Sequence, residues 1–114
     1  MIINMSENRA KRAAKRMRKI LSELGVDLYY LECLNLMVRL LGFENYSHFC
    51  KRDLDAPLSP LDDEISDAEF VARDEFQMAV LAAAGLGAIA RELLDRGNPT
   101  GAWGSKAAEN MVEG

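Results

Sequence analysis

The chain has 114 residues, 49% of them hydrophobic and 28% charged, which fits one globular domain and excludes a disordered tail or a multidomain assembly. Fourteen basic and eighteen acidic residues give a net charge of −4, and two cysteines are too few for a disulfide scaffold. Three prolines among a background of Ala, Leu, Glu, Lys and Arg favour helix.

Residues 1–5 read as a flexible lead-in, too short and followed by too many bases to be a secretory signal. Ser6 then stands as an N-cap with Glu7 at the positive helix end. The first predicted helix covers 7–24. Ala10, Ala13, Met17, Ile20 and Leu24 share one face, while Arg12, Lys15, Arg16 and Lys19 lie on the other. Gly25 is the expected left-handed stop, with Val26 folding back on Leu21.

A second, more apolar helix is expected from about residue 28 or 30 to 41. Leu31, Leu34, Val38 and Leu41 form its stripe, flanked by Leu28, Met37 and Leu40, and so few polar positions remain that two of its sides should be covered. Gly42 and Phe43 repeat the earlier stop. Asn45 can cap a short third helix with Tyr46, Phe49 and Cys50 facing inward. Helices two and three with this corner are the predicted core.

Residues 53–66 read as an acidic linker broken by Pro57 and Pro60, with Pro60 able to open a single turn. Ser66 and Glu69 form a capping box for the longest helix, 67 to about 86, with Phe70, Val71, Met78, Leu81 and Ala82 as its expected core contacts. Gly85 and Gly87 should kink or divide it. Ile89, Ala90, Leu93 and Leu94 resume the pattern until Gly97, and residues 98–114 read as a tail. No stretch alternates with the two-residue period of a strand. The predicted architecture is all-α, one helical domain over 6–97 with four to five helices. No uncharged run reaches the roughly 20 residues a membrane span needs, so a soluble, cytoplasmic protein is expected.

The segment GVDLYYLECLNLMVRLLGFENYSHF, preceded by Ala14, Lys15 and Arg16, resembles a short helical module that accompanies glyoxalase-superfamily domains in bacterial proteins. Leu28, Glu32, Leu34, Leu36, Val38, Arg39, Leu41, Gly42, Phe43, Asn45 and Tyr46 carry the resemblance, which spans about residues 9–52. Tyr29, Tyr30 and Leu31 stand where the module has Ser-His-Ser, so Asp27 becomes the nearest candidate cap. The resemblance implies a helical accessory module. It transfers no catalytic residue, because the glyoxalase β-fold and its His and Glu metal ligands have no counterpart here.

Few residues suggest chemistry. His48 and Cys50 point about 200° apart on a helix, and with Cys33 they form no metal-ligand spacing. A single histidine and no nucleophile–base pair argue against catalysis, so no catalytic, metal or cofactor residue is assigned. Binding is the expected role. The leading reading is a non-enzymatic regulatory or interaction module of bacterial, plasmid or phage type, working on another protein. The basic face of Arg12, Lys15, Arg16 and Lys19 is the main candidate surface, with Trp103 either folding back or anchoring a partner. The alternative is a small DNA-binding regulator using that face, or the helix after Gly42 with Lys51 and Arg52 as phosphate contacts. Ala79, Ala83 and Gly87, spaced i, i+4, i+8, together with Leu81, form either a groove for helix two or a homodimer seam.

Overall fold

The computed structural model describes residues 1–101 and contains helices α1 (Glu7–Glu23), α2 (Tyr30–Leu40), α3 (Tyr46–Cys50), α4 (Asp67–Ala83) and α5 (Ala90–Gly97), with single 3₁₀ turns at Asp62–Glu64 and Gly87–Ile89. No strand occurs among these residues, and the domain is all-α. Trp103 lies outside the described residues.

Local chemistry sets most element ends. The Ser6 hydroxyl accepts the Arg9 N–H at 3.2 Å and Asn45 Oδ1 accepts that of His48 at 2.9 Å, each satisfying an orphan donor of a first turn. Three helices close in the same way. Gly25, Gly42 and Gly85 adopt φ of 87°, 97° and 80°, and the next residue's N–H bonds five residues back: Val26 to Leu21, Phe43 to Val38, Leu86 to Leu81. The third stop divides the long predicted helix, so α4 ends and α5 starts after the 3₁₀ turn.

One predicted cap differs. Asp27 does not cap α2. Its carboxylate accepts from the Ser22 hydroxyl, and the Glu32 carboxylate instead reaches back to the Tyr29 N–H at 3.0 Å. α5 ends at Gly97 as expected, and Asn98 after it takes the positive φ of 44°. Asn tolerates this conformation better than most side chains do.

α1 and α2 pack as the central pair. α5 lies against α1, α4 bridges α2 and α5, and α3 closes the end of α2. The core runs through Ala10, Ala14, Met17 and Leu21 of α1, Cys33, Met37, Val38 and Leu40 of α2, Phe49, Leu81 and Leu93. Phe43 and Phe49 meet edge to face at 5.3 Å within the corner. Leu31, expected in the α2 stripe, points to solvent. So does Cys50, because α3 is a single turn with only Phe49 fully covered.

Both ends of the described chain are packed more firmly than expected. Residues 1–5 are no loose lead-in: Ile3 and Met5 are buried, and the Ile3 N–H donates to the Leu41 carbonyl at 2.8 Å. Their burial follows from the Gly42 stop, which exposes the last α2 carbonyls and leaves a glycine-sized gap beside the Met1 backbone. Residues 99–101, expected in the tail, are buried too.

Thr100 belongs to a polar network that staples the linker to α4. Its hydroxyl donates to Asp62 Oδ1 at 2.8 Å and accepts from Gln77 Nε2 at 3.2 Å. Arg73 donates to the same Asp62 oxygen at 3.0 Å and to the Pro60 carbonyl at 3.1 Å. The pair is almost fully enclosed, with side-chain exposures of 10% and 15%. Removing one partner strands the other charge, so Arg73→Ala should destabilise the domain by about 3–5 kcal/mol, whereas a shape-matched apolar replacement of both Arg73 and Asp62 should cost far less. Urea unfolding of the two variants separates these outcomes.

Candidate interaction surface

α4 buries Leu81 as expected but turns two polar side chains inward beside it. Arg73, Gln77 and Leu81 recur at i, i+4, i+8 and are the buried residues of this helix. On the opposite face Ala68, Val71, Ala72, Glu75, Ala79 and Ala82 are exposed, with Met78 half-buried beside them. Phe70 and Val71, expected as core contacts, are 43% and 51% exposed. The reason is the network just described. Arg73 and Gln77 reach Asp62 and Thr100, and that geometry fixes the rotation of the helix. A helix that buries an ion pair and presents Val and Ala to water has the polarity of an element covered by something further.

The expected dimer seam is therefore split. Ala79, Ala83 and Gly87 are exposed, but Leu81 is completely buried against the core and belongs to no surface. The outer α4 face carries Asp67 at its start and Glu75 at its centre, so it is apolar with acidic points. Asp74, on its edge, is held by Arg91 through two bonds of 2.8 and 2.9 Å, which keeps its carboxyl below the ordinary aspartate range.

The basic residues have divided roles. Arg16 donates to the carbonyls of Gly97 and Arg96 at 3.1 and 2.9 Å, capping the C-terminal end of α5. Arg52 lies 3.9 Å over the Phe49 ring and donates to Asn4 Oδ1 and the Phe49 carbonyl. Both serve the fold, although Arg16 is exposed, as are Arg12, Lys15, Lys19 and Lys51. Lys15 and Lys19 join Arg18, Ser22, Glu23 and Tyr30 around an open groove of about 560 Å³. Arg18 and Ser22 also line a neighbouring one of about 400 Å³ with Asp27, Leu28 and Tyr29. Sequence reasoning missed Arg18, Tyr29 and Tyr30 as surface partners of these lysines. The signal was present in the unusual pair of aromatics at the start of a helix.

Several polar side chains elsewhere are bound up in structure. His48 Nδ1 accepts the Glu44 N–H at 3.0 Å, and its ring sits edge-on to Phe43. The Tyr46 hydroxyl donates to the Glu7 carboxylate at 2.6 Å, which pushes the phenol up and the carboxyl down. A cleft of about 450 Å³ between the N-terminal segment and the linker is lined by Ser6, Arg9, Ser59, Glu64 and Thr100 among others. Its hydroxyls are engaged: Ser6 with Arg9, Ser59 with the Asn4 N–H at 2.7 Å, Thr100 with Asp62. Arg9 donates to the Gly101 carbonyl. Among the described residues no group of three or more His, Cys, Asp or Glu side chains could hold a metal ion. None of their helices is long and apolar enough to cross a membrane.

No protein-family model matches this chain, and no curated protein or solved structure matches it significantly.

Proposed function

We propose that this domain is a non-enzymatic protein-interaction module whose outer α4 face receives an amphipathic helix of another protein. The observation that carries the reading is the partly inverted polarity of α4, which buries Arg73 and Gln77 while exposing Val71, Ala79 and Ala82. The small side chains allow a partner backbone to approach closely, and Val71 supplies an apolar anchor. Asp67 and Glu75 select the partner's charge: a helix with Lys or Arg flanking its apolar stripe complements them, whereas an acidic one is repelled.

A designed Leu/Lys amphipathic helical peptide is the direct probe, with its Leu/Glu counterpart as control. Isothermal titration should give binding of the basic peptide, and Val71→Lys combined with Ala79→Lys should weaken it by at least about tenfold, since the apolar anchor is lost and the new charges repel the peptide's lysines. The same variant should keep the wild-type helical circular dichroism, because both positions are exposed. Equal affinity for the basic and acidic peptides, or unchanged binding by the double variant, would overturn the reading.

A further inference from the structure

The four most exposed large apolar side chains form two pairs. Tyr29 is 78% exposed and Leu31 60%; Leu54 is 75% exposed and Leu58 65%. The first pair opens α2. There Tyr29 and Tyr30 share the two linked grooves with Lys15, Arg18 and Lys19. Glu23 is paired with Arg96, while Asp27 keeps its charge beside the Ser22 hydroxyl, so Lys15, Arg18 and Lys19 outweigh the one uncompensated acid and set the sign of the surface. The second pair sits in the linker, where residues 53–64 hold five acids and no base. Asp53 and Asp55 flank Leu54 directly.

The linker is also presented in a fixed shape. Asn4 Nδ2 donates to the Ala56 and Pro57 carbonyls, each at 3.0 Å, and the Ser59 N–H donates to the Asn4 carbonyl at 2.9 Å. Asp53 Oδ1 accepts the Asp55 N–H at 2.9 Å. A segment ordered in advance loses little entropy on docking. One molecule thus carries a rigid acidic loop with two bare leucines and, separately, a basic groove lined by Tyr29 and Tyr30, with the exposed Leu31 next to them in the chain.

We propose that the chain assembles head to tail with further copies of itself, the acidic loop of one molecule seating Leu54 and Leu58 against Tyr29 and Leu31 of the next, with Asp53 and Asp55 facing Lys15 and Lys19. Such a contact joins two different surfaces, so it propagates into rings or filaments instead of closing as a two-fold dimer. The charges steer the encounter and fix its direction, and the apolar pairs supply the contact.

Sedimentation velocity on the full chain tests this through two variants. Lys15→Glu with Lys19→Glu spoils the groove; Leu54→Ser with Leu58→Ser spoils the loop. All four positions are exposed, so both variants should fold. Wild type should show a mass that rises with concentration and falls in 1 M salt, where the Debye length shrinks to about 3 Å. Each variant alone should be monomeric. Mixed together, they should form a 1:1 heterodimer and nothing larger, because each keeps one intact surface. A monomeric wild type at every concentration, a variant that still self-associates, or a mixture that stays monomeric would each overturn the proposal. Self-association removed by Val71→Asp, and by neither of these variants, would belong to the α4 face and would also overturn it.

Discussion

Leu81→Asp is expected to unfold the domain, and Val71→Asp, ten residues earlier on the same helix, to leave its stability nearly unchanged. Leu81 has no exposed surface, and its N-terminal neighbours on that face, Arg73 and Gln77, are already committed to Asp62 and Thr100. Truncating a buried leucine to alanine alone costs about 2–5 kcal/mol. A carboxylate there adds the penalty of an unpaired buried charge, so the total rivals the 5–15 kcal/mol that holds a typical domain together. At Val71 the new carboxylate meets water, and a change within about 0.5 kcal/mol is expected. Far-ultraviolet circular dichroism with urea titration reads both. Sequence spacing offered Leu81 as a core contact, as part of a groove for α2, or in a homodimer seam, where the aspartate would dissociate folded subunits. Its burial inside one chain makes unfolding the expected result instead.

Gly42→Ala should be the most damaging single-methyl change in the molecule. Gly42 sits at φ 97°, where any side chain is strained, and a Cβ there would lie 1.8 Å from the Met1 carbonyl oxygen. The strain contributes roughly 1–2 kcal/mol. The clash forces residues 1–5 away from the α2 terminus and takes Ile3 and Met5 out of the core, each worth about 1.5–3 kcal/mol of burial. A loss of about 4 kcal/mol or more follows. A double-mutant cycle isolates the two parts. In a chain lacking residues 1–5, the same substitution should cost only the backbone strain. Gly25→Ala, with open space around its Cβ and a φ of 87°, is the internal control for strain alone.

These two glycines mark what could be read from the chain without its fold. Leucine-glycine followed by an apolar residue identifies a helix stop locally, because the left-handed residue and the back-folded contact lie within six positions. The same locality made Ser6, Asn45 and Ser66 readable as caps. The apolar faces of α1 and α2 were largely legible too, since both helices bury the stripe their periodicity defines except for Leu31, which the structure leaves exposed. What Gly42 touches was not legible, because its neighbour is Met1, brought there only when α2 docks.

α4 shows the other limit. Its sequence offers Phe70, Val71, Met78, Leu81 and Ala82 as core contacts, and ordinary patterning turns these inward. The structure buries Leu81 and half-buries Met78, but turns Arg73 and Gln77 inward where Val71 and Ala82 were expected, because their partners wait there: Asp62, eleven residues before Arg73, and Thr100, twenty-three residues after Gln77. A buried ion pair with matched hydrogen bonds can set the rotation of a helix, but only when segments far apart in sequence converge. The division of the basic residues has the same origin. Arg12, Lys15, Arg16 and Lys19 look equivalent on one helix face, and only the arrival of α5 commits Arg16 to capping its carbonyls while leaving Lys15 and Lys19 beside Tyr30. The amino-acid sequence by itself determined the helices, their ends and the charge polarity along the chain, because short-range sterics and hydrogen bonding govern these. Which face of α4 meets water, which cations stay exposed, and where the bare tyrosines and leucines gather were decided by tertiary packing alone, since each depends on partners that local spacing does not encode.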